Sequence, residues 1–363
     1  MNTDARAVDV LIIGLGPAGA ATAVTAAAAG LEVLGIDKRQ IIGKPVQCAE
    51  FIPLPMGRYA QAPGVLLQTI QGMRSILPSG ASLNTAFPGL MVDRATFDQA
   101  LVDQARSQGA QLRTLQRLVG LDTVQRIAHI ATPDGEELIQ YQVLVAADGP
   151  HSTVAHLLGW PELESVFTRQ YTVGLKKPYH DTDIWLSNDY PGGYAWLFPK
   201  GCRANLGLGL DKHHAADLKQ PLDALHQQLM ETGLVDDCIY ERTGGAIPVG
   251  GLREHLFVDT IMFTGDAAGL THPITGAGIP AAVISGERAG QAAIDSLIAH
   301  KKDAFSDFEE DLRDQFEVAL QRAVVRRSWM AKYWNTSEAS DDLLHRRGWI
   351  AFPDYFETQQ TPL

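Results

Sequence analysis

The chain has 363 residues, with 42 acidic against 30 basic side chains and a formal charge of −12. At about 150 residues per domain, that length implies two domains and a core that needs no metal or disulfide staples. The acidic balance argues against a nucleic-acid partner, and 45% apolar with 20% charged residues excludes a disordered chain.

The chain begins Met1-Asn2-Thr3-Asp4-Ala5-Arg6, without the basic region and apolar run of a signal peptide. Val8 to Ile13 is a continuous apolar run, as expected of a central parallel strand buried on both faces. A glycine turn follows, then an alanine-rich helix ending at Gly30, then a second strand over Leu31 to Ile36. Gly14, Gly16, Pro17 and Gly19 interrupt the apolar stretch from Val8 to Gly30, which therefore reads as strand, turn and helix rather than a membrane span. Cys48, Cys202 and Cys238 are too far apart for a CxxC pair, and so low and odd a count suits a reducing cytoplasm.

Further along, Arg94 to Gln108 has helical spacing and Gln142 to Ala147 has the pattern of a buried strand. From about residue 165 to 250 alternating runs such as Tyr171-Thr-Val-Gly-Leu and Tyr194-Ala-Trp-Leu-Phe predict an antiparallel sheet. Pro199-Lys200-Gly201 reads as a turn, followed by an alternating run from Arg203 to Leu210. Thr260 to Thr264 returns to an apolar strand, with a glycine loop and a helix carrying Pro280 in its first turn. Beyond about residue 300 the chain reads as helical. The order predicts an α/β protein, a discontinuous Rossmann-like domain interrupted by a second sheet domain.

The chemistry starts at Gly14-Leu-Gly16-Pro17-Ala18-Gly19. Gly14 allows the tight turn, Gly16 admits a pyrophosphate to the backbone, and Gly19 lets helix and strand pack closely. The helix N-terminus supplies free N–H groups for that anion. Asp37, 18 residues after Gly19, ends the second strand where a carboxylate accepts bonds from a ribose. Two later strands close on Ala147-Asp148-Gly149 and on Gly265-Asp266, the second running into Gly276-Ala277-Gly278-Ile279-Pro280. An aspartate at such a strand end binds ribityl hydroxyls, and the next helix points its positive end at an electron-accepting ring.

These motifs resemble those of FAD-dependent oxidoreductases of the glutathione-reductase-like fold. Two further segments, Gly43-Lys-Pro45-Val-Gln-Cys48-Ala49-Glu50 and Tyr194-Ala-Trp196-Leu-Phe198-Pro199-Lys200-Gly201, resemble the loop and strand of the geranylgeranyl reductase family. With Asp93-Arg94-Ala-Thr-Phe97-Asp98, the resemblance covers roughly residues 8 to 295. It implies FAD as cofactor and hydride transfer from flavin N5 to a carbon–carbon double bond of an apolar, isoprenoid-type substrate. Asp37, Lys38 and Arg39 would lie at the adenosine end, with Cys48, Ala49, Arg94 and Asp266 nearer the flavin. Only one dinucleotide fingerprint is present, so NADPH would bind transiently or another electron donor would replace it.

On this reading residues 1–164 begin the FAD domain, with an excursion near 52–90 into the substrate domain. Residues 165–252 form the antiparallel-sheet substrate domain, 253–300 complete the FAD domain, and 301–363 are a C-terminal helical segment. Cys48 is a candidate proton donor, against the plain reading of a buried small hydrophobe. Glu50 either holds a proton-donating water or orders the loop, and spacing does not choose. Tyr194, Trp196 and Phe198 share a strand face and form either a substrate wall or ordinary sheet core.

Other residues suggest less. His272 suits a turn role, His213-His214 lacks metal spacing, and Lys200 is either an anion-holding or an exposed turn lysine. The run Arg326-Arg327-Ser-Trp329-Met-Ala-Lys332-Tyr333-Trp334 fits a helix packed on the substrate domain better than a membrane surface. A lipid substrate would still require a transient visit of a cytoplasmic protein to a bilayer. The rival reactions are an FAD monooxygenase acting on an aromatic small molecule or a peptide-bound aromatic side chain, and flavin binding without turnover.

Overall fold

The structure, a computed structural model, describes residues 5–211, 213, 217–334 and 336–357. The chain opens with β1 (Arg6–Ile13), α1 (Pro17–Ala28) and β2 (Val33–Ile36). A long loop leads into β3 (Phe51–Pro53), β4 (Leu66–Ile70), β5 (Gly72–Ile76), β6 (Ser82–Thr85) and β7 (Gly89–Val92). Then come α2 (Arg94–Ser107), β8 (Gln111–Arg113), β9 (Arg117–Asp122), β10 (Ile127–Thr132), β11 (Gly135–Ala146) and α3 (Thr153–Leu157). The next part holds β12 (Ser165–Leu175), β13 (Asp181–Trp185), β14 (Ala195–Lys200), β15 (Arg203–Asp211), α4 (Lys219–Glu231) and β16 (Val235–Pro248). The chain finishes through β17 (Phe257–Val258), β18 (Ile261–Phe263), α5 (Ile279–Leu297), α6 (Ala304–Met330) and α7 (Asp342–Gly348).

The first sheet runs β17-β18-β11-β1-β2-β8, with β9 and β10 appended beside β11. β1 pairs in parallel with both β2 and β11, which is why Val10, Leu11 and Ile12 are all apolar and fully buried. β18 joins this sheet beside β11 although more than a hundred residues separate them, so the nucleotide-type domain is discontinuous, as the motif order implied. The C-terminal ends of β1, β2, β11 and β18 lead directly into Gly14, Asp37, Asp148 and Gly265. Ligands of open parallel sheets bind in the crevice at those ends. Helices α1 and α5 meet there through small residues: a methyl on Gly286 would lie 2.1 Å from the Ala18 carbonyl oxygen.

The second sheet runs β16-β12-β15-β14-β13-β5-β6. Tyr171, Leu206, Leu208 and Leu210 face α4, whose Leu222, Leu225 and Leu229 recur at helical spacing and cover that side. Trp196 points to the other face, together with the half-buried Tyr194 and Phe198.

Two local expectations change. Pro199 and Lys200 continue β14 rather than turning; the hairpin closes at Gly201 and Cys202, where Lys200 pairs with Arg203 and Gly201 has φ +68°. The pairing with β13 ends opposite Leu197, so Pro199 falls in the part of β14 paired with β15, a position that tolerates its missing N–H. The sheet is also not wholly antiparallel. β5 and β6 arrive from the 52–90 excursion, and β5 pairs with β13 in parallel.

Candidate active site

The β1–α1 turn is built for close approach of a ligand to the backbone. Gly14 has φ +96°, and a methyl there would lie 2.4 Å from the Ala147 carbonyl oxygen. Gly16 caps α1 without any side-chain hydrogen bond, and its Cβ direction points into open space. Pro17 lacks an N–H, so the remaining free donors of the first turn face outward unblocked. Asp37 is buried; its carboxylate accepts from Leu15 N–H at 2.9 Å and Arg39 N–H at 2.8 Å. Arg39 is half-buried beside it, whereas Lys38 is exposed. Asp148 accepts at one oxygen from the N–H groups of Thr153 (2.6 Å) and Val154 (3.2 Å), while its other oxygen is buried without a partner. Burial pushes its pKa up, against the hydrogen bonds.

At the far end of the crevice Asp266 accepts from the Thr271 hydroxyl at 2.6 Å, and burial pushes its pKa up while nearby Arg94 opposes the shift. Gly278 caps α5 with no side-chain hydrogen bond, and a methyl on it would lie 2.9 Å from Thr271 Oγ1. Ala277 is exposed, Gly276 is half-buried beside Ile247, and Ile279 is buried at the helix start. His272 folds this loop. Its Nδ1 accepts from the N–H groups of Ile274 (3.3 Å) and Thr275 (3.2 Å), and burial depresses its pKa to about 4.

Arg94 starts α2 and forms a two-pronged pair with Asp98, each bond 3.1 Å. Burial opposes its charge, but Asp98 and the Cys48 sulfur outweigh burial and hold the guanidinium pKa above the ordinary arginine range. Burial raises the Cys48 thiol pKa, with Arg94 acting against it; Sγ also accepts from Glu50 N–H at 3.3 Å.

The 46–50 loop is stitched to the second sheet by side chains from three strands. Thr243 donates to the Val46 carbonyl at 2.7 Å, Gln170 to the Cys48 carbonyl at 3.0 Å, and Asn205 to the Ala49 carbonyl at 3.2 Å. Gln170 simultaneously accepts from the Trp196 indole N–H at 3.0 Å. Trp196 packs against Gly207, where a methyl would come within 2.4 Å of its ring. Tyr194 donates to the Thr275 carbonyl at 2.5 Å, and its ring meets Trp196 at 5.7 Å between centroids. Phe198 approaches Phe51 at 5.9 Å.

The carboxylate of Glu50 is fully engaged. One oxygen accepts from Arg94 N–H at 3.0 Å, the other from Asn205 at 2.7 Å and from the Lys200 ammonium. Lys200 is therefore neither an exposed turn lysine nor a free anion site. Gln170 and Asn205 escaped the sequence reading; each is a buried polar side chain among other polar residues on its strand, so spacing alone did not single it out. His213 N–H donates to Asp211 at 3.0 Å, and His214 lies outside the described residues, as do Met1 to Asp4. Among the described residues no cluster of His, Cys, Asp and Glu is arranged to hold a metal ion.

Residues 166–246 match the family model of the geranylgeranyl reductase catalytic domain. A digeranylgeranylglycerophospholipid reductase of Methanosarcina acetivorans is 33% identical over 308 residues, 80% of this chain and 75% of the relative. The chain belongs to the geranylgeranyl reductase family. A solved relative, a geranylgeranyl bacteriochlorophyll reductase-like protein from Thermoplasma acidophilum, superposes with a TM-score of 0.83 and 25% identity, covering 94% of this chain and 92% of that one. Aklavinone-11 hydroxylase, solved with FAD and aklavinone, shares the fold with a TM-score of 0.72 at 19% identity, over 93% and 72% of the two chains.

This geranylgeranyl reductase family member is an FAD-dependent oxidoreductase, and its crevice fits that cofactor. The glycine cradle at Gly14 and Gly16, the orphaned Asp148 oxygen and the uncapped starts of α1 and α5 all lie along it. They leave backbone donors and one buried carboxylate oxygen, that of Asp148, without a protein partner, as a dinucleotide's phosphates and hydroxyls require.

Proposed function

We propose that this protein reduces carbon–carbon double bonds of an isoprenoid chain, with Cys48 as the proton donor. The Gly14–Gly19 turn and the start of α1 hold the FAD pyrophosphate, Asp37 and Arg39 the adenosine end, and Asp266 with the Gly276–Ile279 segment the flavin end. FAD, once reduced, supplies a hydride equivalent for one carbon of the double bond. The chain supplies everything else. A thiol whose pKa is raised by burial stays protonated at neutral pH, which is the form a proton donor requires. Its S–H bond breaks as the proton reaches the second alkene carbon, and Arg94 stabilises the thiolate left behind until solvent reprotonates it.

The observation that carries this reading is the Trp196–Gln170–Cys48 chain of hydrogen bonds. It ties the Cys48 backbone carbonyl and the Trp196 ring into one frame beside the Arg94–Asp266 crevice. Glu50 has every oxygen committed, so its part is to position that loop. Tyr194, Trp196 and Phe198 form the apolar wall against which the alkene lies.

Among the described residues no helix is long and apolar enough to cross a membrane. A peripheral encounter with a bilayer delivers the lipid, and exposed Leu54, Leu66, Leu67 and Phe87 on the 51–92 segment supply apolar surface for it. The single glycine turn is taken by FAD, so the electron donor, NADPH or another carrier, docks only transiently. The test is anaerobic incubation of the dithionite-reduced protein with a geranylgeranyl lipid, followed by mass spectrometry. A gain of two hydrogens per double bond is expected. An unchanged lipid, with oxygen inserted into an aromatic compound in air, would overturn the reading in favour of a hydroxylase.

A further inference from the structure

The face of the second sheet turned towards α4 carries a group of cations that the reaction site does not use. Tyr171 lies there, 1% exposed, and its hydroxyl donates to Asp223 of α4 at 2.8 Å. The guanidinium carbon of Arg169 stands 5.7 Å from the centre of its ring, and that of Arg242 stands 5.6 Å away. Arg169 precedes Tyr171 by two positions on β12, and Arg242 is its register partner on β16, so both share its face. Lys219, in the first turn of α4, pairs with the same Asp223 at 2.5 Å. Three elements thus bring three basic side chains to one ring.

Among the described residues neither guanidinium makes a hydrogen bond or an ion pair, and Arg169 Nε is buried without any partner. A donor taken from water and given no acceptor is costly, and folded proteins keep few of them. The nearby carboxylates are engaged elsewhere. Asp223 serves Tyr171 and Lys219; burial opposes its charge, but Lys219, Tyr171 and Arg169 outweigh burial and hold its pKa below the usual carboxylate range. Asp217 accepts from the N–H groups of Lys219 (2.8 Å) and Gln220 (3.1 Å). Glu241 precedes Arg242 on its strand and so points to the opposite face. Two guanidinium forks and an ammonium from three elements match an acceptor with oxygens on several sides. A phosphate has them, whereas a planar carboxylate serves one guanidinium fork.

The other side of the same two strands carries the 46–50 loop. Gln170 and Thr243 are register partners there, and they hold the Cys48 and Val46 carbonyls. β16 is the edge strand of its sheet, and Gly244 and Gly245 follow Arg242, so this stretch is secured by β12 on one side only. We propose that Arg169 and Arg242, with Lys219, bind a phosphate or diphosphate group, carried by a free small molecule or by a lipid headgroup, and that the bound anion clamps β16 to β12 behind the 46–50 loop. Occupancy neutralises two like charges on neighbouring strands and bridges them. It thereby steadies the strand pair from which the loop is hung.

Inorganic pyrophosphate is the probe, titrated calorimetrically into the FAD-loaded protein, in which the Gly14–Gly19 turn is already filled. One saturable site is expected. Arg169→Gln and Arg242→Gln should each weaken it at least about tenfold, the loss of one charge-assisted fork. Arg117→Gln, exposed on β9 of the first sheet, should leave it unchanged. Equal affinity in all four proteins, or no saturable binding, would overturn the proposal. Hydrogen exchange followed by mass spectrometry reads the clamp. At ten times the dissociation constant, opening that requires release of the anion slows about tenfold. Peptides covering 239–248 and 44–50 should therefore exchange more slowly in the wild type and not in Arg242→Gln. Unchanged exchange with the site saturated would also overturn the proposal. Displacement of pyrophosphate by vesicles of phosphatidic acid, and not of phosphatidylcholine, supports the site with a lipid headgroup as its source; retention supports it with a free phosphate compound. Both readouts are independent of turnover, so a protein that binds pyrophosphate here and reduces no prenyl compound would refute the reductase reading alone.

Discussion

Glu50 offers the most quantitative test of how the site is held together. It is 2% exposed, has φ +71°, and binds Arg94 N–H, Asn205 and Lys200. Glu50→Ala strands the Lys200 ammonium, whose side chain is only 16% exposed, without its anion. Breaking a largely buried pair in this way costs about 3–5 kcal/mol. Glu50→Gly loses the same contacts but relieves the left-handed backbone, returning about 1 kcal/mol. Glu50→Gln keeps one acceptor and turns its NH₂ towards a donor, so its cost is about 2–3 kcal/mol. Adding Lys200→Met removes the stranded charge, and the double variant should be more stable than the sum of the single losses by about 1–2 kcal/mol. Urea unfolding of the FAD-loaded protein, followed by both flavin and tryptophan fluorescence, measures each quantity. A Glu50→Ala variant within 1 kcal/mol of wild type, or strict additivity of Glu50→Gln and Lys200→Met, would refute the reasoning. If Glu50 were the proton source instead, Glu50→Gln would abolish turnover even while the variant stays folded and FAD-loaded.

Other outcomes follow from the same geometry. Cys48→Ala should lower turnover at least tenfold with an unchanged flavin spectrum, and alkylation of the wild-type thiol should stay slow until above pH 9; a fast-reacting thiol at pH 7 would contradict its burial. His272 is held neutral in the fold, with a pKa depressed from 6.5 to about 4, so its contribution is complete above pH 6.5 and is lost as pH falls towards 4. The loss amounts to about 3 kcal/mol at most. His272→Asn, which keeps an acceptor for Ile274 and Thr275, should flatten the slope of urea midpoint against pH in that window. Gly207→Ala drives a methyl to within 2.4 Å of the Trp196 ring, and loss of prenyl turnover without loss of FAD is the expected result of an assay on that variant.

The nucleotide crevice was legible because its chemistry is local. Gly14 and Asp37 follow directly on an apolar strand and Asp266 comes three residues after one, and a backbone that must admit phosphate demands glycine at fixed offsets. Period two likewise placed Tyr194, Trp196 and Phe198 on one face. What spacing did not reveal was contact across the chain. Lys200 looked like an exposed turn residue because it stands between Pro199 and Gly201; its partner Glu50 lies 150 positions away. Gln170 and Asn205 became meaningful only when their strands met the 46–50 loop. The contact of Trp349 was invisible for the same reason: its indole N–H reaches Ser75 across 274 positions of chain.

The central claim is tested most directly by an anaerobic single turnover. The protein is reduced to one equivalent of reduced FAD, mixed with a geranylgeranyl lipid, and followed by flavin absorbance and product mass together. The account predicts that flavin reoxidises without oxygen and that one double bond is saturated per flavin. Flavin that stays reduced until oxygen is admitted, with the lipid unchanged, would contradict it.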